Sequence, residues 1–220
     1  PPLRTALIYD FDGTLAPANI QEHSLLPALG ISSADFWAKT AVLKEQHDAD
    51  EVLAYLQLLL IEARRQGTSL TRELLRDHGK ATPFFDGVET WFARIDEHAA
   101  ERNLALEHYV ISSGNEELIA GCAIAPHFKK IFACRYAYDD QGVAQWPAVA
   151  VNYTTKTQFL FRINMGIDNV WNNDAINRWH RGHQSAMIVK NCLVGLHAGS
   201  RKFMNGWALD TQMPLAVYPL

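Results

Sequence analysis

The sequence predicts an α/β protein in which a mainly parallel sheet carries an inserted helical segment, and three features lead to this prediction. The apolar run at residues 6–9 is typical of a buried parallel strand and ends at Asp10, with Asp12 and a glycine turn directly after it. Helical periodicity then covers most of residues 34–66. A second apolar strand, at residues 108–111, is followed by two serines and a glycine. Carboxylates at the carboxyl end of a parallel strand lie where open α/β sheets bind their ligands.

The composition is that of an ordinary globular protein, with 220 residues, 48% of them hydrophobic and 20% charged. A net charge of −4 gives no basic face for nucleic acid. No apolar run has the length of a membrane span, and the N-terminus shows no secretory signal pattern. Three scattered cysteines, Cys122, Cys134 and Cys192, are expected to be free thiols. We therefore expect a cytoplasmic protein without nucleic-acid or membrane partners, whose oligomeric state the sequence does not indicate.

Residues 16–82 are predicted to form a helical insert after the first strand. The alternative is that these helices are crossovers of the main sheet, but one crossover rarely needs so many residues. We therefore predict an α-helical cap subdomain at residues 16–82, and an α/β core formed by residues 1–15 and 83–220.

Local signals divide the insert into helices. A break is expected near residues 47–50, and Gly67 is expected to stop the helix that follows the break. Ser69 or Thr71 is expected to cap a further short helix.

The chain returns to the core at the Pro/Gly turn of residues 83–88, and a helix with an apolar face follows. The later pattern predicts helix 115–121, strand 129–134, a turn at 139–142, helix 154–166, a strand at 189–195 and a last strand at 215–218. Asp139 and Asp140 are interpreted as part of a solvated turn rather than a metal site. Residues 168–179 form a surface loop or a short helix, to which no role is assigned.

The string Asp10-Phe11-Asp12-Gly13-Thr14-Leu15 resembles motif I of the haloacid dehalogenase (HAD) superfamily, whose phosphatases read apolar strand, then Asp-x-Asp-Gly-Thr. An isolated Asp-Gly pair would instead be read as an ordinary turn. The resemblance implies a three-layer HAD-like, Rossmann-like core with a cap, Asp10 as nucleophile and Asp12 as general acid/base. It also implies Mg²⁺ held at Asp10 and Asp12. HAD dehalogenases usually lack the second aspartate, so Asp12 favours phosphoryl transfer.

Two further segments resemble later HAD motifs. The strand that ends in Ser112-Ser113-Gly114 is similar to motif II, which implies that Ser112 binds a phosphoryl oxygen and that Ser113 and Gly114 offer backbone N–H groups. The alternative is a simple strand-to-helix cap. Phe11 completes the implied phosphate-binding set. Lys156, at a helix start, is similar to motif III and would neutralise the charge at Asp10, although most lysines are solvated surface residues.

The fourth HAD motif, an apolar strand followed by acids that hold Mg²⁺, is not matched. Leu196 and Ser200 stand where acids are expected, and no Asp or Glu occurs from His180 to Leu209. Asp168 or Asp174 could substitute only by a different route. Histidines in this tract, His180, His183 and His197, lack the spacing of a closed zinc site.

The function implied by the resemblance is Mg²⁺-dependent hydrolysis of a small phosphorylated metabolite through an aspartyl-phosphate intermediate. The absent motif IV acids motivate an alternative, a catalytically impaired HAD-fold protein that binds a phosphorylated ligand or a protein partner. Phosphoryl transfer to a second substrate rather than to water is a third possibility.

Overall fold

A computed structural model describes residues 1–174, 176 and 192–194. The strands in this part are β1 (Leu3–Tyr9), β2 (Leu104–Asn115), β3 (Phe128–Tyr138), β4 (Ala144–Val149) and β5 (Cys192–Val194). They form one sheet in the order β4-β3-β2-β1-β5. β1 pairs in parallel with both β2 and β5, β2 pairs in parallel with β3, and only the β3–β4 pair is antiparallel. The predicted α/β class with a mainly parallel sheet is confirmed.

The helices lie in two groups along the chain. The insert contains α1 (Leu25–Ala28), α2 (Ser33–His47), α3 (Glu51–Arg65) and α4 (Arg72–Gly79), preceded by a 3-10 turn at Ile20–Glu22. The rest of the described chain contains α5 (Val88–Ala100), α6 (Glu116–Gly121) and α7 (Lys156–Met165), with a second 3-10 turn at Ala125–His127. None of these described helices is both long and apolar enough to cross a bilayer.

Capping residues fix the boundaries within the insert as predicted. Asp48, in the left-handed region at φ 47°, ends α2, and the side chain of Asp50 accepts the first free N–H groups of α3. Gly67, at φ 65°, follows the end of α3. Of the two cap candidates for α4, Thr71 fills the role, since its hydroxyl accepts the N–H of Leu74 at 3.1 Å.

Two glycines bring α4 of the insert against α6 of the core. A Cβ on Gly79 would lie 2.0 Å from the carbonyl oxygen of Leu118, and one on Gly121 would lie 1.9 Å from that of Arg76. Backbone therefore touches backbone at a distance that no other residue permits. Buried side chains also form one continuous cluster from the insert to the sheet. The division into core and cap subdomain stays a prediction.

A buried polar chain anchors the end of β1. The indole N–H of Trp91 donates to the hydroxyl of Tyr9 at 3.0 Å, and this hydroxyl lies 2.9 Å from Nδ1 of His108. Nε2 of His108 in turn contacts the carboxylate of Asp96 at 2.9 Å. Neighbouring residues of a strand face opposite sides of the sheet. These hydrogen bonds therefore hold Tyr9 on the face opposite to the side chain of Asp10.

The β3–β4 hairpin confirms the interpretation of residues 139–142 as a turn. One oxygen of Asp139 accepts the N–H groups of Gln141 and Val143 at 3.0 and 2.9 Å. Cys122, at the end of α6, and Cys134, in β3, are buried free thiols, as expected, and burial raises the pKa of each to about 11.

The strand predicted at residues 189–195 is present in part as β5, which pairs Ala6 with Cys192 and Ile8 with Val194. Because β5 pairs in parallel with β1, the carboxyl ends of these two strands lie at the same edge of the sheet. The motif IV candidates Leu196 and Ser200 lie outside the described residues, and so do His180, His183, His197 and the tail.

Candidate active site

The carboxyl ends of β1 and β2 place the predicted site residues at one edge of the sheet. Tyr9 is in register with Val110, so Asp10 and the residues that follow Ile111 leave neighbouring strands side by side. The last residues of β2, Ser112–Asn115, are here called the Ser112 loop, because the register of the strand is irregular between Ile111 and Asn115. This local break in the ladder turns the loop toward Asp10 and Asp12.

Asp10 and Lys156 form the charged pair of the site. Nζ of Lys156, the first residue of α7, lies 2.7 Å from Oδ2 of Asp10. The other oxygen of Asp10 accepts the backbone N–H of Phe11 at 2.9 Å. Both side chains remain partly exposed, at 41% for Asp10 and 25% for Lys156. The carboxylate is therefore held in position by two donors and still faces solvent.

Asp12 lies beside this pair in a more buried position. Its Oδ1 accepts the backbone N–H of Ile20 at 2.9 Å. Burial raises the pKa of Asp12 to about 7; the hydrogen bond from Ile20 opposes the rise and the charge of Asp10 adds to it. Near neutral pH a large fraction of Asp12 is therefore protonated and able to donate a proton.

A compact turn carries Asp12 away from the strand. The carbonyl oxygen of Phe11 accepts the N–H groups of Leu15 and Ala16 at 2.9 and 3.2 Å, and Gly13 donates to the carbonyl of Ala16 at 2.8 Å. Gly13 has φ 73°, a conformation that glycine adopts without strain. The chain returns from the insert at Phe85, whose N–H donates to the carbonyl of Leu15 at 3.1 Å. Entry to and exit from the insert therefore meet beside the site.

The Ser112 loop approaches Asp12 because it contains a glycine. A Cβ on Gly114 would lie 3.0 Å from Oδ2 of Asp12 and 3.2 Å from Oγ of Ser112. Ser112 is fully buried, and its Oγ accepts the N–H of Gly114 at 2.9 Å. This bond occupies the amide of Gly114 and leaves the hydroxyl proton of Ser112 able to donate. The buried Oγ of Ser113 has no hydrogen-bond partner among the described residues.

The insert contributes a contact that sequence reasoning missed. The hydroxyl of Tyr55, on α3, donates to the backbone carbonyl of Ser113, which also accepts from the thiol of Cys134 at 3.2 Å. A tyrosine within the apolar periodicity of α3 gives no signal of this role in the sequence. The contact ties the insert directly to the Ser112 loop.

A cavity of about 260 Å³ opens next to Asp12, between the site and the helices of the insert. Its walls include Ser113 from the Ser112 loop and Tyr55 from α3. The cavity therefore adjoins Asp12 and lies between the Ser112 loop and α3.

The oxygen groups of Asp10 and Asp12 are of the kind that a hard cation takes. Mg²⁺ is commonly bound by one or two carboxylates completed by phosphate and water. Within the described part of the chain, no three Asp, Glu, His or Cys side chains converge on one point. Asp168 and Asp174 therefore do not join Asp10 and Asp12 as a third acid.

Comparison with known sequences gives one distant relative and no matching family model. An uncharacterized protein of Borreliella burgdorferi is 28% identical over 189 residues, an alignment that covers 73% of this chain. The chain spans 65% of the length of that relative.

Comparison with solved structures gives several similar folds. A HAD family hydrolase from Salmonella enterica serovar Typhi superposes with a TM-score of 0.52 at 15% identity, covering 77% of this chain and 54% of that one. A phosphoserine phosphatase in a phospho-aspartyl intermediate analogue form gives 0.52 at 14% identity, with coverage of 74% and 72%. A probable phosphoserine phosphatase from Vibrio cholerae gives 0.51 at 12% identity, with coverage of 76% and 48%. At such identities the likeness establishes the fold alone: the chain has a HAD-like α/β fold.

Proposed function

We propose that the protein is a phosphomonoester hydrolase that acts on a small phosphorylated metabolite through an aspartyl-phosphate on Asp10. One observation carries the proposal. A partly exposed carboxylate, paired with Lys156 at 2.7 Å, lies beside a second carboxyl group whose pKa is raised to about 7. This arrangement combines a nucleophile with a proton donor, the two groups that cleavage of a phosphate ester requires.

In the first step, an oxygen of the Asp10 carboxylate attacks phosphorus and the bond from phosphorus to the ester oxygen breaks. Protonated Asp12 gives its proton to the departing alkoxide, which leaves as an alcohol. The phosphoryl group is then bound to Asp10 as an acyl phosphate, and Asp12 is a carboxylate.

In the second step, Asp12 takes a proton from water as the water oxygen attacks phosphorus. The bond from phosphorus to Asp10 breaks, which releases inorganic phosphate and restores the Asp10 carboxylate. Asp12 ends the cycle protonated. A pKa near neutrality suits a group that must act as acid and then as base.

The neighbouring side chains bind and balance the phosphoryl group. Lys156 offsets the negative charge that collects between Asp10 and the phosphoryl oxygens. In this proposal the hydroxyl proton of Ser112 binds one of these oxygens, and the backbone of Phe11, Ser113 and Gly114 completes the phosphate-binding set. Positioning and charge neutralisation supply most of the rate in phosphoryl transfer.

Mg²⁺ would be held by the Asp10 carboxylate and the Asp12 backbone carbonyl, together with substrate phosphate and water. When bound, it supplies positive charge that polarises the phosphoryl oxygens. The insert, proposed as a cap subdomain, excludes bulk water from the reaction and selects the substrate.

Hydrolysis of p-nitrophenyl phosphate tests this function, with Mg²⁺ and with EDTA, in the wild type and in Asp10→Asn. We expect Mg²⁺-dependent turnover that the variant lacks, and a rapidly acid-quenched wild-type sample that gains the mass of one phosphoryl group. Turnover that persists in Asp10→Asn would contradict the proposed intermediate. Labelled phosphate found on an added alcohol instead of water would identify a transferase.

A second candidate is a HAD-fold protein that binds a phosphorylated ligand or a protein partner without hydrolysing it. The observation in its favour is the absence of any Asp or Glu from His180 to Leu209, the segment that contains β5. Absence of turnover, together with measurable binding of a phosphate mimic such as BeF₃⁻, would favour this candidate over the hydrolase.

A further inference from the structure

The wall of the cavity beside Asp12 contains a buried hydrogen-bond acceptor without a donor. Gln21 lines this cavity, its side chain is 2% exposed, and its Oε1 has no hydrogen-bond partner. A buried carbonyl oxygen without a donor is unfavourable, so a ligand that brings an N–H or O–H group to it is favoured. The amide of neighbouring Asn19 is already used, since its nitrogen donates to Glu22 at 2.5 Å.

Two aromatic side chains of the cavity, Trp37 and Tyr55, present rings rather than free donors. The indole N–H of Trp37 donates to Glu22 at 2.7 Å, and the hydroxyl of Tyr55 donates to the carbonyl of Ser113. The two rings lie 5.8 Å apart in an edge-to-face arrangement. Aromatic rings attract cations, and more strongly where water is excluded.

The charged residue in the cavity wall is acidic. It is Glu51, since Asp12 also lines the cavity but is largely protonated near neutral pH. No lysine or arginine belongs to the wall among the residues that the structure describes. Lys44 lies outside the cavity, 3.5 Å from the carboxylate of Glu51, and both side chains are exposed at 38% and 52%. A solvated pair of this kind contributes little stability, so an ammonium in the cavity can compete with Lys44 for Glu51. Lys156 is engaged with Asp10 at the phosphoryl position.

We propose that this cavity selects a leaving group that carries an ammonium and no carboxylate, so that the substrate is the phosphate ester of a small amino alcohol. The proposal rests on the phosphatase function proposed above. An ammonium would donate to Oε1 of Gln21, lie against the rings of Trp37 and Tyr55, and be balanced by Glu51. A carboxylate in the same space would face Glu51 and an unpaired carbonyl oxygen without a cation.

Four esters of similar size test the proposal. O-Phosphoethanolamine carries an ammonium, propyl phosphate is its neutral counterpart, phosphoglycolate carries a carboxylate, and O-phosphoserine carries both charges. Binding of each to full-length Asp10→Asn is measured by calorimetry, so that the preference is observed whether or not the wild type turns over. We expect phosphoethanolamine to bind at least ~10-fold tighter than propyl phosphate, and phosphoglycolate to bind more weakly than propyl phosphate. Equal affinities, or tighter binding of phosphoglycolate, would overturn the proposal.

Variants of Gln21 locate the preference. Gln21→Leu removes the acceptor and should lower the ratio of phosphoethanolamine to propyl phosphate affinity by ~10-fold, whereas Gln21→Glu should raise it. Gln46→Leu makes the same change on an exposed face of α2 and should leave the ratio unchanged. An unchanged ratio in both Gln21 variants would refute the assigned site.

Turnover separates this proposal from the proposed function. If the wild type hydrolyses p-nitrophenyl phosphate but Asp10→Asn shows no preference among the esters, the protein is a phosphatase and the substrate class is wrong. If the ammonium ester is preferred in binding and no ester is hydrolysed, the ligand class stands and the hydrolase reading fails.

Discussion

Asp12→Asn tests whether the carboxyl group of Asp12 is protonated near neutral pH, as its burial implies. Burial raises the pKa of Asp12 from its ordinary value of 3.8 to about 7, so between these pH values the folded protein holds a proton that the unfolded chain has released. The contribution of this proton to the stability of the folded state is complete below about pH 4 and is lost as pH rises through about 7. Asparagine does not titrate, so the variant lacks this contribution to the pH dependence.

The expected change in the free energy of unfolding follows from the difference between the folded and unfolded pKa values of Asp12. Each pKa unit corresponds to about 1.4 kcal/mol, which sets an upper limit of ~4 kcal/mol for the full range. Only part of that range lies between about pH 5 and pH 8, and solvent screens a partly exposed carboxyl. We therefore expect the wild-type free energy of unfolding to fall by ~2 kcal/mol more than that of Asp12→Asn between these two pH values.

Urea unfolding in EDTA measures this difference without a bound divalent cation. Other titrating groups, such as His108, are common to both proteins and cancel in the comparison. The exposed Asp140→Asn provides a matched control that removes one carboxylate elsewhere and should follow the wild-type curve. Parallel curves for wild type and Asp12→Asn would refute the reasoning that burial keeps Asp12 protonated.

Three further substitutions test the site and its support. Lys156→Met removes the cation 2.7 Å from Asp10 and should lower kcat/KM for p-nitrophenyl phosphate by ~10²–10³-fold, whereas a loss below about tenfold would argue against charge neutralisation. Ser112→Ala removes a buried hydroxyl at the phosphoryl position and should lower kcat by ~10-fold or more in the same assay, with the fold intact by circular dichroism; unchanged kcat would remove it from the site. Gly121→Ala would place a Cβ 1.9 Å from the carbonyl oxygen of Arg76 and should destabilise the protein by ~1–3 kcal/mol in thermal unfolding, although alanine ordinarily favours a helix; a stabilised variant would contradict the close contact.

Local chemistry made much of the fold predictable. The periodicity of α3, the break before it and the stop at Gly67 depend on residues close in sequence, and the structure matches them. The resemblance at Asp10 and Asp12 likewise led to the strand end where Lys156 and the Ser112 loop converge.

Contacts between distant segments were not predictable from the sequence. The N–H of Ile20 bonds to Asp12, and the hydroxyl of Tyr55 bonds to Ser113, only because the insert packs onto the sheet edge. Neither residue type signals such a partner: Ile20 contributes a backbone amide that every non-proline residue has. Gln21 was missed for the same reason, since its proposed role as a hydrogen-bond acceptor depends on its burial beside the cavity.

The paired glycines of α4 and α6 bear on whether the insert could be exchanged between proteins. Gly79 lies in the insert and Gly121 ends α6, the helix that follows the Ser112 loop, yet each occupies space that exists only because the other helix presents bare backbone to it. The insert is therefore not an interchangeable module. A graft of residues 16–82 onto another core of this fold would need glycine at both sides of the contact. A chimera that lacks one of them would hold its helices away from the Ser112 loop.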